Sequence, residues 1–180
     1  MLLKDSLSGC LFGKQSERGL SLVELMTTLA IFGALSAIAV PGHFTTRPRR
    51  RLKAATRELY GIMQQARIMA VKEHRSKRVR FGMDFYYLDD NNNKVCDTGE
   101  KRIELIKYHD IQFGCGNATK NWRDNPVSKA TLITFSPTGT ASSKTAYLQN
   151  IASPSECFAV TSQTSGSLKV RWYDGERWIK

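Results

Sequence analysis

Between Leu20 and Val40 the chain carries one ionisable side chain, Glu24, in the otherwise uncharged run LSLVELMTTLAIFGALSAIAV. As an α-helix rising 1.5 Å per residue, such a run is roughly 30 Å long, the thickness of a bilayer core. A secretory h-region covers only about 7 to 15 residues and ends in a small-residue cut site. This run is longer, holds a carboxylate near its start and meets Pro41 at its end. It reads as a transmembrane helix over residues 20–41. The charged flank Lys14 to Arg18 closes on Gly19, so a cut after Gly19 would remove a polar leader, residues 1–19, and keep the span.

Gly19 followed by a hydrophobic residue, Glu24 five positions further on and Pro41 closing the apolar run resemble the class III signal of type IV prepilins and type II secretion pseudopilins. The resemblance implies that a prepilin peptidase cuts between Gly19 and Leu20 and methylates the new amino terminus of Leu20, with Glu24 as the assembly glutamate. Leu20 stands where the family usually has phenylalanine. The role of Glu24 also has a physical basis. An unpaired carboxylate in hydrocarbon is strongly unfavourable, and the free amino terminus of an incoming subunit offers a cation that would neutralise it.

With the leader and the span set aside, the 180-residue chain leaves one small globular domain with a modest core. Pro41, Gly42 and Pro48 weaken helix at the lower edge of the span, so a helix kink at Pro41 or local melting is expected there. Arg47, Arg49, Arg50, Arg51 and Lys53 then form a juxtamembrane patch suited to lipid phosphates. From Leu52 to Glu73 the apolar positions Leu52, Ala55, Leu59, Ile62, Ala66 and Met69 recur at three- and four-residue spacing, the mark of an amphipathic helix packing on a sheet. Residues 42–75 thus continue the helical spine.

Beyond Ser76 the pattern shortens to β-branched and aromatic runs: Arg78 to Met83, Phe85 to Leu88, Arg102 to Ile106, Leu132 to Phe135, Cys157 to Thr161 and Leu168 to Tyr173. Turns are expected at Ser136 to Gly139, Thr164 to Ser167 and Asp174-Gly175. The reading is an α+β fold: a long N-terminal transmembrane and amphipathic helix packed on an antiparallel β-sheet domain over residues 76–180, its first three runs forming a meander. Ile133 to Ala141, followed by a cysteine-bearing strand and a closing strand after a glycine turn, is similar to the GspH/FimT/FimU branch of minor pilins and pseudopilins.

That resemblance implies a pilin-like fold and a minor subunit acting in type IV pilus assembly, at initiation or in a tip complex. It also leaves two alternatives, a DNA-binding minor pilin for DNA uptake and an H-type pseudopilin of type II secretion. The implied partners are other minor and major pilins or pseudopilins, the prepilin peptidase, membrane lipid and, in the uptake alternative, DNA. The implied location is the inner membrane, single-pass, with the C-terminal domain in the periplasm, and then the pilus or pseudopilus.

Three groups of residues are candidates for chemistry. The net charge of +11 favours anionic partners. Arg75, Lys77 and Arg78 join the helix end to the first strand, while Lys169, Arg171 and Arg177 interleave with Trp172, Tyr173 and Trp178, a mixture suited to phosphates and stacked bases. In DNA-receptor FimT proteins a Gly-Arg-x-Arg motif carries binding; the nearest stretch here, Gly166-Ser167-Leu168-Lys169, lacks the first arginine. Trp172 reads as core or subunit interface.

Asp89, Asn91, Asn93, Asp97 and Glu100 occupy positions 1, 3, 5, 9 and 12 of an EF-hand-like calcium loop, making Ca2+ the one candidate cofactor. Lys94 stands where the sharp turn needs glycine, and the flanks read as strands, so an Asn/Asp-rich hairpin connection is the competing reading. Of the four cysteines, Cys10 falls in the leader, leaving Cys96, Cys115 and Cys157. In an oxidising compartment one pair forms and one thiol is left over. Cys115 with Cys157, both near expected core strands, is the first pairing, and Cys96 with Cys115 stays open by spacing. The sequence holds no nucleophile elbow, HExxH or P-loop, and three scattered histidines do not suggest a triad, so a non-enzymatic structural subunit is expected.

Overall fold

A computed structural model of the chain describes residues 21–179, the side chains of residues 37–47 excepted. The chain divides into two compact units between His43 and Phe44.

The first unit is the opening part of α1 (Leu22–Lys72). Its apolar side chains are exposed all round, among them Leu22, Met26, Leu29, Phe32 and Leu35. Its hydroxyls are turned inward: Thr27 Oγ1 donates to the Glu24 carbonyl at 2.9 Å, Thr28 Oγ1 to Leu25 at 2.9 Å and Ser36 Oγ to Phe32 at 2.7 Å. Donors satisfied within their own helix suit an apolar medium. Among the described residues no helix is long and apolar enough to cross a membrane. Leu20 and the side chains of residues 37–47, which the expected span includes in part, lie outside that description, as does Gly19. The backbone is α-helical at Pro41 and Pro48, so the local melting expected there is absent, while the kink at Pro41 stays an expectation.

In the second unit the remainder of α1 lays one face on two antiparallel sheets. Leu52, Ala55, Leu59, Ile62 and Ala66 are buried as their spacing predicts, and Thr56, Met63 and Ala70 join them. Met69 is only partly buried at the edge of this cluster. The alanines keep that face low, and the buried Thr56 hydroxyl is satisfied by the Leu52 carbonyl at 2.8 Å. Each fully buried Leu or Ile contributes about 1.5–3 kcal/mol relative to exposure. The helix closes after Lys72 with His74 at φ 51° and the Arg75 amide donating to the Ala70 carbonyl at 3.2 Å, a left-handed cap.

The first sheet contains β1 (Lys77–Phe81), β2 (Phe85–Asp89), β3 (Arg102–Glu104) and β5 (Leu132–Phe135) in the order β3-β2-β1-β5. The second contains β4 (Ile111–Phe113), β6 (Lys144–Asn150), β7 (Ser153–Ser162), β8 (Leu168–Tyr173) and β9 (Trp178–Ile179) in the order β4-β6-β7-β8-β9. The meander expected over the first strands is present as β1-β2-β3, and the domain divides into two sheets because β5 returns to pair with β1 instead of following β4. Leu105 and Ile106, expected to extend β3, instead open a 3-10 helix (Leu105–Tyr108).

Alternation along β6 and β7 explains how the second sheet is filled on both faces. Ala146, Leu148, Phe158 and Val160 enter the helix-side core, whereas Tyr147, Cys157 and Ala159 enter a smaller outer cluster with Cys115 and Ala118. The loop 114–131 covers that outer cluster and brings Trp122 and Val127 onto it. The expected turns at Ser136 to Gly139 and Thr164 to Ser167 are present and meet each other. Gly139 accepts from Arg67 Nε at 3.1 Å, and Gly166, at φ 76°, sits where a Cβ would strike the Gly139 carbonyl.

Candidate functional site

The residues singled out by sequence fall in both units, Glu24 in the first and the basic residues, the β2–β3 loop and the cysteines in the second. In the first unit Glu24 lies in the opening turn of α1, exposed, and is the sole ionisable group among that unit's described side chains, residues 21–36. Gly19 and Leu20, the expected cut and methylation positions, lie outside the described residues.

In the second unit the six expected DNA-contacting residues separate. Lys77 is 1% exposed, with Glu73 at 2.5 Å and Asp90 as a second partner. Burial opposes its charge, but the hydrogen bonds it donates to both carboxylates outweigh that and hold its pKa above the usual lysine value. A cation so enclosed has no face left for a phosphate, which removes Lys77 from the contact set. Arg78 is half-buried in β1, and Arg75 is exposed beyond the helix cap. Lys169, Arg171 and Arg177 belong to the second sheet and its last turn.

Arg171 is the best placed of these. Its guanidinium lies over the Trp122 ring, 4.0 Å from the centroid, and burial together with the neighbouring Arg123 lowers its pKa. Trp122 in turn meets Trp178 edge to face at 5.6 Å, and Tyr173 packs on Trp178 at 5.3 Å. Trp178 Nε1 donates to the Lys120 carbonyl at 2.9 Å, tying the C-terminal strand to the loop 114–131. Between them opens a cleft of about 390 Å³, lined by Lys120, Trp122, Asp124, Tyr173, Arg177 and Trp178 among others. The turn before β9 is set by Asp174, whose carboxylate accepts the amides of Arg177 and Glu176, and those bonds hold it below the usual carboxylate range.

Lys120, Trp122 and Arg123 were not part of the sequence-derived set. Their signal is the Lys-Asn-Trp-Arg run itself, cations beside a tryptophan within a long inter-strand segment. Trp172, by contrast, faces the core side as expected, stacked on Phe158 at 6.4 Å and capped by the Arg49 guanidinium at 3.9 Å.

Asp89 ends β2, and the other four candidate calcium ligands lie on the loop between β2 and β3. Most of their carboxylate oxygens already accept bonds from the protein, the buried Asp89 Oδ1 alone being left without a partner among the described buried side-chain atoms of these five. Asp89, fully buried, accepts from Arg80 Nε at 2.5 Å and from the Lys94 amide at 3.3 Å. Asp97 Oδ2 accepts from the Asn91 and Asn93 amides, both at 2.6 Å, and Glu100 accepts the Asp90 and Asp97 backbone amides at 2.8 and 3.1 Å. Among the described residues no three acidic, histidine or cysteine side chains converge to hold a metal. Lys94, at the glycine position, takes φ 74°, and Asn92 takes φ 62°. This is the self-bonded Asx loop of the competing reading, and as arranged it does not fit a calcium cage.

Cys115 and Cys157 are both buried in the outer cluster, whereas Cys96 is half-exposed on the β2–β3 loop. All three thiols are free in the structure.

Comparison with known proteins adds the following. Residues 55–166 match the family model described as "Type II transport protein GspH", and residues 14–40 match that of the "Prokaryotic N-terminal methylation motif". Among solved structures, the type IV minor pilin FimU of Pseudomonas aeruginosa is similar at 12% identity and TM-score 0.51, over 73% of this chain and 95% of that one. The minor pseudopilin EpsH from the type 2 secretion system of Vibrio cholerae aligns at 15% identity and TM-score 0.48, over 67% of this chain and 95% of that one. No curated protein sequence matches the chain.

Proposed function

The chain belongs to the GspH family of type II transport proteins, and from that premise we propose that it is a minor pilin or pseudopilin, a structural subunit recruited into a type IV pilus or a type II secretion pseudopilus. The observation that carries this is the order of parts: a methylation motif over residues 14–40, then a GspH domain over 55–166. A motif that ends in an apolar helix anchors the chain in the inner membrane; the domain behind it sets which neighbours the subunit meets. Processing between Gly19 and Leu20 exposes an amino terminus, and Glu24 is the carboxylate that a neighbour's terminus neutralises on assembly. The domain then projects into the periplasm. Within this scheme the pilus reading has the subunit act at initiation or in a tip complex, and an H-type pseudopilin of type II secretion is the alternative that the same parts allow.

Mass spectrometry of the chain recovered from membranes tests the reading. An amino-terminal N-methyl-leucine at Leu20, lost when the prepilin peptidase is deleted, is the expected result. An intact leader in the wild-type background would overturn it.

A second reading, a DNA-uptake subunit, is supported by one feature: Arg171 over Trp122, beside Arg123 and Arg177 and the Trp178 cleft. Cations next to aromatic faces suit phosphate contact and base stacking. A salt-dependent gel shift of the full chain discriminates the two. Binding that persists at physiological salt favours uptake, and its absence leaves the structural role alone.

A further inference from the structure

The backbone on either side of Cys115 is fixed to the strands that flank Cys157. Gly114 donates its amide to the Tyr147 carbonyl at 3.0 Å, and Asn117 donates to the Pro154 carbonyl at 3.1 Å. The Gly116 amide donates to Gln149 Oε1, and Gln149 is the cross-strand partner of Cys157 on β6 and β7. Gly116 itself takes φ 51° and presses so closely on Pro154 that a Cβ would overlap its carbonyl oxygen. Only glycine lets the chain pass there, and the passage delivers Cys115 into the outer cluster with Cys157. Cys115 is 7% exposed and Cys157 fully buried. The two side chains share this buried cluster, and the neighbouring Cys115 thiol together with burial pushes the Cys157 pKa up. Cys96 belongs to the loop between β2 and β3 of the other sheet and takes no part in this cluster.

We propose that Cys115 and Cys157 form a disulfide in the mature subunit, strapping the loop 114–131 across the outer face of the second sheet and leaving Cys96 as its single free thiol. The bond forms by thiol–disulfide exchange with a protein disulfide of the oxidising compartment. The two cysteine thiols give up two protons and two electrons as the S–S bond forms, and the donor disulfide is reduced to two thiols. Exchange takes place while β4, β6 and β7 are assembling, because in the folded chain both sulfurs are enclosed and the raised Cys157 pKa suppresses the thiolate. The strap holds the segment that carries Lys120, Trp122 and Arg123, so it stiffens the cationic and aromatic surface without contributing a contact to it.

The pairing rests on the geometry alone, whereas its occurrence in the cell rests on the export reading, and the test separates them. The full chain is recovered from membranes with free thiols blocked by N-ethylmaleimide, and a second sample is refolded in detergent with oxidised glutathione; both are digested without reductant and mapped by mass spectrometry. The expected result in both is a linked Cys115–Cys157 peptide with Cys96 alkylated. Three alkylated thiols in both samples, or a bridge containing Cys96, would overturn the pairing. Linkage in the refolded sample only would support the pairing and overturn periplasmic exposure. As a second readout, Cys115→Ala without reductant should melt where the parent melts in dithiothreitol, a drop on the order of 5–10 °C from the oxidised parent. A parent melting point indifferent to dithiothreitol would count against the strap.

Discussion

The guanidinium of Arg171 lies 4.0 Å over the indole of Trp122, although one residue is in β8 and the other in a loop between β4 and β5. The stacking makes the loop and the sheet one surface. It also leaves the guanidinium edge free, since no carboxylate pairs with Arg171 among the described residues, and Arg123 adds a second positive charge beside it. Two neighbouring guanidiniums without an acid between them favour an anion, and a stacked contact of this kind is itself worth about 0.5–1 kcal/mol at an exposed site.

The first prediction follows for the uptake reading. Arg171→Ala in the full chain should weaken binding to a labelled single-stranded oligonucleotide and reduce the slope of log affinity against log salt by about 1. Fluorescence anisotropy at several salt concentrations measures it. Identical slopes for parent and variant would show that Arg171 neutralises no phosphate. Lys77→Ala is the companion, expected to leave the slope unchanged because Lys77 is enclosed by Glu73 and Asp90.

Lys77 matters for stability. Its side chain closes the helix end onto the β2–β3 loop through Glu73 and Asp90, and the Asn92 amide reinforces the junction by donating to the Ser76 carbonyl at 2.7 Å. Removing one partner of a buried ion pair costs about 3–5 kcal/mol when the other stays buried. Here the carboxylates are 39% and 47% exposed and rehydrate, so Lys77→Ala should cost roughly 1–3 kcal/mol. Urea midpoints at constant slope report the difference, and a loss under about 0.5 kcal/mol, typical of surface sites, would show that the junction is not held this way.

High pH should loosen the helix from the sheets through Tyr108. Its hydroxyl donates to Glu58 on α1 at 2.9 Å, and Lys107 holds the same carboxylate at 2.7 Å. Burial, with the Glu58 bond, pushes the Tyr108 pKa up to about 12. The unfolded phenol titrates near 10, so the stabilising term is complete below about pH 10 and is lost as pH rises toward 12. Tyr147, raised to about 12 chiefly by burial, adds to the same fall. Thermal melts from pH 9 to 12 should show the decline, and Tyr108→Phe should shallow it. A variant with the parent's full slope would assign the effect elsewhere.

The sequence disclosed what periodicity and turn chemistry encode. The helix face from Leu52 to Ala66 and the glycine turns at Gly139 and Gly166 follow from spacing and positive φ. β6 escaped because Ala146, Tyr147 and Leu148 are all buried, Tyr147 under the loop and the other two under the helix, so the strand shows no polar alternation. The split into two sheets was not legible either, since the return of β5 to β1 is a long-range pairing with no local signal. At the basic surface the error was one of burial: Lys77 reads like any exposed lysine until Glu73 and Asp90 are placed around it. Trp122 became part of the surface only when the loop was laid on Arg171.

Glu24 gives the last prediction. The hydroxyls around it bond back to their own helix, and among the described side chains of its unit Glu24 has no ionisable partner; the proposed one is a neighbouring subunit's amino terminus. The amino end of a helix favours a carboxylate electrostatically, but by only about 0.3–1 kcal/mol, well short of what burial in hydrocarbon costs. Glu24→Ala should therefore leave membrane insertion unchanged, since it removes a penalty, while incorporation into sheared filaments falls sharply. Glu24→Gln, which keeps the shape and loses the charge, should behave like the alanine variant if charge neutralisation drives assembly. Immunoblots of membrane and filament fractions measure both. Normal incorporation of either variant would mean that an amino terminus is not what Glu24 awaits.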